Sequence, residues 1–344
     1  MITIFKYVYM PFMEQMILKY QDIGIFISLV IIISIFNIVN MIQAIIHEFG
    51  HFIFGKITKH KLIFFNVFNL VISKELDKIR LRKIGKLSVS GQCLMEPPHK
   101  DSWRLCTLGG IILNMITIFV SAALIPFANG ILLIILFNFL ISGIMFVLSN
   151  GIPNNKTLND GAVYQILKSN ESAIESRYKQ ILICKHLADG KTYKDISKEL
   201  FEFNCEKIND DDITNYLILN RYFRYLDLKM HDEANQTITH LFDKTYSSKS
   251  LVALEIALEK FYNDNIYYKN NRPYDYKKVV KDLNKQVKTL RQLRIRLSCD
   301  ISFMDKFDYH DLKRKVKQIA QKELFLGDAL FNIDQINLLI EQTA

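Results

Sequence analysis

Two stretches of this chain carry no charge at all. Gly24 to Ile46, GIFISLVIIISIFNIVNMIQAII, is 23 residues long, and Leu105 to Asn150 is 46 residues long. The hydrocarbon core of a bilayer takes about 20 helical residues, so the first run is one span. As a single helix the second run would reach roughly 69 Å at 1.5 Å per residue, more than twice a core of ~30 Å. It must fold back on itself, and Pro126 followed by Asn129-Gly130 is the turn signal inside it. Spans are therefore expected at about 24–46, 107–127 and 131–149. The fold class expected is an α-helical polytopic membrane protein: a three-span core with a small membrane-surface β-element, followed by an all-α cytoplasmic domain.

Charge sets the orientation. Residues 52–104 carry eleven Lys and Arg, the 129–130 turn carries none, and only Lys6 and Lys19 precede the first span. The positive-inside rule puts 52–104 in the cytoplasm, the N-terminus outside, and everything after the third span inside. The net charge of +9 then matches an anionic inner leaflet. No basic motif interleaved with aromatics is present, so nucleic acid is not an expected partner. Cys93, Cys106, Cys184, Cys205 and Cys299 form no CxxC pair, which fits a reducing compartment and small apolar packing residues. Residues 1–23 lack a small-residue cleavage site and read as a retained interfacial segment. The expected location is the cell membrane, with a bacterial membrane favoured, and the lipid bilayer is the first partner.

The motif AIIHEFGHFIFGK, residues 44–56, closes the first run. On a helix, positions i and i+4 share a face, so His47 and His51 can reach one ion. Zinc takes neutral imidazoles, and a catalytic site holds three protein ligands plus water. Glu48, one step round the helix, is placed to act as general base and then as acid. The bland alternative is a pair of helix-end histidines among lipid headgroups. Ionisable residues at the end of a span are costly, however, and are functional by default. The third ligand has six candidates: Glu75, Asp77, Glu96, His99, Asp101 and Asp160. Asp160 follows the third span at the membrane depth of His47 and His51, and Gly161 beside it permits close backbone approach. His99 is its best competitor, since Pro97 and Pro98 would hold it near the second span.

His47-Glu48-Phe49-Gly50-His51 on the first span, Gly110 to Asn114 on the second, and Asn150 to Pro153 followed by Asn159-Asp160-Gly161 after the third resemble the site-2 protease family. These are intramembrane zinc metalloproteases, and the resemblance covers about residues 24–165. It implies His47, His51 and Asp160 as zinc ligands and Glu48 as catalytic acid/base. It also implies Asn114 as a polar group of the site, either steadying the oxyanion or bonding between spans. Three departures stand out. Asp160 lies ten residues after Asn150 rather than eight, Asn159 stands where the family has Leu, and Ala162 where it has a second Gly. The extra two residues would be absorbed at Asn154-Asn155.

Between spans one and two, residues 61–96 are rich in β-branched and aromatic residues in partial alternation, broken at Gly85 and Gly91. A small sheet at the membrane surface is expected. It would either clamp an unwound substrate by strand addition or simply cap the spans. Residues 173–344 show helical spacing with short loops, as in antiparallel hairpins, without a clean 34-residue repeat. Tyr274 to Arg296 reads as a basic amphipathic stretch, either solvated or lying on the inner leaflet. His186, His231, His240 and His310 lack ligand spacing. The helical domain has no enzyme motif and reads as a surface for a protein partner. The expected activity is hydrolysis of a peptide bond within or near a transmembrane segment of a membrane-bound protein or peptide. The alternative is a catalytically silent membrane scaffold presenting the helical domain.

Overall fold

The computed structural model describes residue 14 and residues 25–68, 70–75, 78–84, 91–154, 156–202, 211–267, 289–299 and 309–341. The expected interfacial segment, apart from Glu14, and the 274–288 part of the basic stretch lie outside the described residues.

Three helices are long and apolar enough to cross a membrane: α1 (Ile25–Ile57), α2 (Trp103–Leu124, continued by a single tight turn to Phe127) and α3 (Gly130–Gly151). Their outward faces expose Ile33, Ile38, Phe119, Val120 and Ile131, as helices in contact with lipid do. The reversal between α2 and α3 falls at Pro126 and Asn129-Gly130, as the turn signals require. The first helix does not end at Ile46 but runs on to Ile57. A helix stops when its backbone bonds stop, not when its side chains become polar, so the His-Glu-x-x-His segment lies well inside α1. α1 and α2 meet backbone to backbone. A Cβ on Gly50 would lie 2.3 Å from the Gly109 carbonyl oxygen, and one on Gly109 would lie 2.6 Å from that of Gly50. Only glycine lets two helices approach so closely.

After α1 the chain forms a four-stranded antiparallel sheet of β1 (Lys61–Val67), β2 (Leu70–Glu75), β3 (Lys78–Lys83) and β4 (Gly91–Glu96), in the order β3-β2-β1-β4. Its two faces are both apolar. Phe64, Val71 and Leu94 are buried against Ala188, Leu324 and Phe325 of the helical domain. The opposite face leaves Leu70, Ile72, Ile79 and Leu81 exposed, and its Phe65 meets Phe52 of α1. The helical domain thus roofs one side of the sheet, and the two expected units share a core.

Helix α4 (Asp160–Ser169) starts against the end of α3 and leads into that domain, which among the described residues comprises α5 (Glu171–Ala188), α6 (Asp212–Asp227), α7 (His231–Thr245), α8 (Leu251–Tyr267), α9 (Leu290–Cys299), α10 (Tyr309–Ala320) and α11 (Leu326–Glu341). Leu217, Tyr222, Leu241, Ile256, Leu293 and Phe331 lie at its centre. The described part of the expected basic stretch is not a solvated face: Leu290, Leu293, Arg294 and Ile295 of α9 are all buried.

Glu323 caps α9, accepting the Leu290 backbone N–H at 2.6 Å. Burial pushes its carboxyl up from an ordinary 4.5 to about 7, although the Leu290 bond pulls it down. A raised folded pKa means the fold prefers the protonated acid. Its contribution is full below the unfolded value and is lost as pH climbs from 4.5 to about 7. Glu323→Gln keeps the acceptor and has no charge to bury. Its melting temperature should match wild type at about pH 4 and exceed it at about pH 8, by the equivalent of about 3 kcal/mol.

Candidate metal centre

His47 and His51 point from one face of α1 into a cavity between α1, β4, α4 and α5, and both are largely buried. Asp160 opens α4. Its Oδ2 lies 3.0 Å from His47 Nε2 and 3.3 Å from His51 Nε2. These three atoms lie within 4.8 Å of one another and form a group that can hold a metal ion.

The ring tautomers decide what meets at that point. His51 Nδ1 sits 2.7 Å from the Cys106 carbonyl oxygen, which can only accept, so Nδ1 carries the hydrogen. For His47 the assignment comes through two amides. Gln43 donates its Nε2 to the Phe139 carbonyl at 3.0 Å, which turns its Oε1 toward Asn114 Nδ2 at 2.6 Å. That leaves Asn114 Oδ1 to accept from His47 Nδ1 at 2.7 Å. A backbone carbonyl of α3 thereby fixes the proton on His47. With neutral imidazoles both Nε2 atoms present lone pairs toward the buried Asp160 Oδ2. Lone pairs so placed repel one another, and a cation at their centre, a proton or a metal ion, offsets that.

Asn114 was expected either at the oxyanion or between spans. The structure places it fully buried behind His47, with its carboxamide hydrogen bonds spent on His47 and Gln43. It is a positioning residue for the ligand. Asn114→Leu should keep the fold and lower metal affinity about 10–100-fold, the usual cost of removing such a partner. Titration against a metal-buffered indicator reads it, and an unchanged affinity would remove Asn114 from the site.

Glu48 lies beside the pair of histidines, and its carboxylate accepts the backbone N–H of Cys93 in β4. Strand β4 passes so close that a Cβ on Gly91 would lie 2.6 Å from Glu48 Cγ, so the glycine expected as a strand break is where the strand clears the acid. Asp160 is held equally firmly. A Cβ on Gly161 would lie 2.2 Å from the Gly151 carbonyl, so α4 starts directly against the end of α3. Asn159 ties that junction together. It donates to the carbonyls of Ser149 and Ile152 at 2.7 and 2.6 Å and accepts from the N–H groups of Asn154 and Ala162 at 2.9 and 3.1 Å. An apolar side chain at this position could make none of these bonds. The Asn154 carbonyl accepts from Leu158 N–H at 3.0 Å and closes the loop between α3 and α4.

The competing ligand candidates lie elsewhere. His99 and Asp101 are exposed, and Glu96 pairs with Lys185 at 3.1 Å. The Glu75 side chain and Asp77 lie outside the described residues. Gln43, the Cys106 carbonyl and the Cys93 N–H were not anticipated. Gln43 could have been found, being four residues before His47 on the same helix face and polar within an uncharged run. No family model, curated protein or solved structure matches this chain.

Proposed function

We propose that this chain is an intramembrane zinc metalloprotease of the site-2 protease type, cutting a peptide bond within or near a transmembrane segment of a membrane-bound substrate. One observation carries the reading: two imidazoles from a helix apolar enough to cross a membrane and a carboxylate oxygen from the start of α4 converge beside Glu48. That donor set suits zinc with an open fourth position. The separations of 3.0 and 3.3 Å lie near the edge of a tetrahedron with ~2.0–2.1 Å bonds, which is roughly 3.3 Å. When bound, the ion would polarise the scissile carbonyl and make water a better nucleophile.

Glu48 takes the proton from the attacking water and delivers it to the leaving amine. The Cys93 N–H bond orients its carboxylate for that exchange. Asn114 and Gln43 hold His47 in the tautomer that leaves Nε2 free. Edge strand β4 lines the cavity beside Glu48, and an unwound substrate segment would add to it by main-chain hydrogen bonds. The exposed apolar face of β2 and β3, with Lys74, Lys78, Arg80 and Lys83 in the same strands, suits the surface of an anionic leaflet. The positive-inside rule then puts the helical domain in the cytoplasm.

The test uses full-length protein in lipid nanodiscs. Elemental analysis should find about one zinc per chain in both wild type and Glu48→Gln. Membrane extracts incubated with each protein are then searched by mass spectrometry for new peptide termini. Wild type should generate them, and Glu48→Gln should be slower by about 10²–10⁴. A zinc-free wild type, or equal cleavage by the two proteins, would overturn the reading.

A further inference from the structure

The cavity at the metal centre has a volume of about 610 Å³, and one of its walls is α5, through Ile174, Arg177, Tyr178 and Ile181. Arg177 stands out. Among the described residues it makes no hydrogen bond and no ion pair, although Arg82, Arg224, Arg291 and Arg294 each have partners. Its surroundings are Cys106, Cys184 and Tyr216, with Asp160 near enough for charge attraction but beyond an ion pair. Burial holds the guanidinium below the ordinary arginine value.

Arg177 is half-buried and faces the cavity, so water can supply its acceptors, and a ligand that displaces that water must supply them instead. The charge of the cavity shows the sign of such a ligand. Its described lining holds two acids, Glu48 and Asp160, and two permanent cations, Lys100 and Arg177. A bound dication balances the two acids and leaves the two cations over. A carboxylate complements them, and the planar fork of arginine matches it through two parallel hydrogen bonds.

We infer that Arg177 is the cavity's carboxylate-recognition group, and that the peptide bound there carries either a free C-terminus or an Asp or Glu side chain on the α5 side of the metal centre. This assigns a substrate class and rests on the protease reading above. A merely structural Arg177 would instead support the charge of Asp160, and would then act on the metal.

The experiment uses full-length, zinc-loaded Glu48→Gln protein in nanodiscs, so that binding is read without turnover. Four fluorescent decapeptides of one apolar sequence are compared by anisotropy. They have a free or an amidated C-terminus, each with Gln or Glu at one internal position. The peptides bearing the recognised carboxylate, C-terminal or side-chain, should bind at least about tenfold more tightly than the amidated Gln peptide, as charge-assisted hydrogen bonds do. Whichever of the two carboxylates carries the gain identifies its source. Arg177→Gln should erase the gain while keeping zinc, and Arg177→Lys should restore only part of it. Equal binding of all four peptides, binding of none, or a gain that survives Arg177→Gln overturns the inference. Loss of zinc in Arg177→Gln also overturns it and makes Arg177 a support for Asp160. The protease reading is judged separately: wild type that never cleaves, beside an intact Arg177-dependent preference, sinks that reading and leaves a carboxylate-peptide binding site.

Discussion

Asp160→Ala is expected to empty the metal centre. Elemental analysis should give about one metal ion per chain for wild type and almost none for the variant, with His99→Ala retaining the wild-type content. Asp160 contributes the one formal negative charge among the three converging atoms, and without it two neutral imidazoles remain on one helix face. A site short of one ligand holds a divalent ion far more weakly. Added zinc should raise the melting temperature of wild type through binding to the folded state, and leave the variant almost unmoved. Asp160→Asn separates charge from shape: it keeps the junction between α3 and α4 while removing the charge. Full metal content in Asp160→Ala would show that the convergence is accidental.

What the sequence discloses here divides along a physical line. The uncharged runs and the Asn129-Gly130 turn are local signals of hydrophobicity and backbone preference, and the three long helices follow from them. The end of α1 does not, because the helix continues through eleven residues beyond the uncharged run, from His47 to Ile57. His47 and His51 are legible because four-residue spacing is itself geometry. Asp160 is legible only through the argument that the third span brings the chain back, and His99 stays in contention until contacts are known. The route from Phe139 through Gln43 and Asn114 to His47 joins three helices, and no pattern along one segment contains it. The stretch around α9 shows the converse failure. Five basic residues between Lys285 and Arg296 look like a solvated face, because the acids that neutralise Arg291 and Arg294 come from α8 and α11.

That pairing sets the second large effect. Arg294 is fully buried, and its Nη2 donates to both carboxylate oxygens of Glu259, at 2.6 and 2.8 Å. The ring of Tyr262 lies 4.1 Å from its guanidinium carbon and that of Phe331 lies 5.6 Å away. Among the described residues its Nε and Nη1 have no hydrogen-bond partner and Glu259 is its one paired acid, and the two rings supply the remaining favourable field. Glu259→Ala would leave a positive charge in an apolar core, and should destabilise the helical domain by about 3–5 kcal/mol. Glu259→Leu with Arg294→Met removes both charges and should recover most of that loss, since well-packed apolar pairs match or exceed buried ion pairs. Trp103 offers the reporter. It is the only tryptophan in the chain and packs with Ala173 of α5 and Ile213 of α6, so its fluorescence follows the join between the membrane helices and the helical domain. Thermal melts should show an early transition in Glu259→Ala that is absent from the double variant. A double variant as unstable as the single would mean that the cost lies in the packing around Glu259 rather than in the stranded charge of Arg294. The metal centre adds a further readout, because α5 forms both a wall of the cavity and part of this domain's core. Unfolding the domain through Glu259→Ala should open the cavity while leaving His47, His51 and Asp160 on their own helices, so metal should persist at temperatures where the helical domain has already melted.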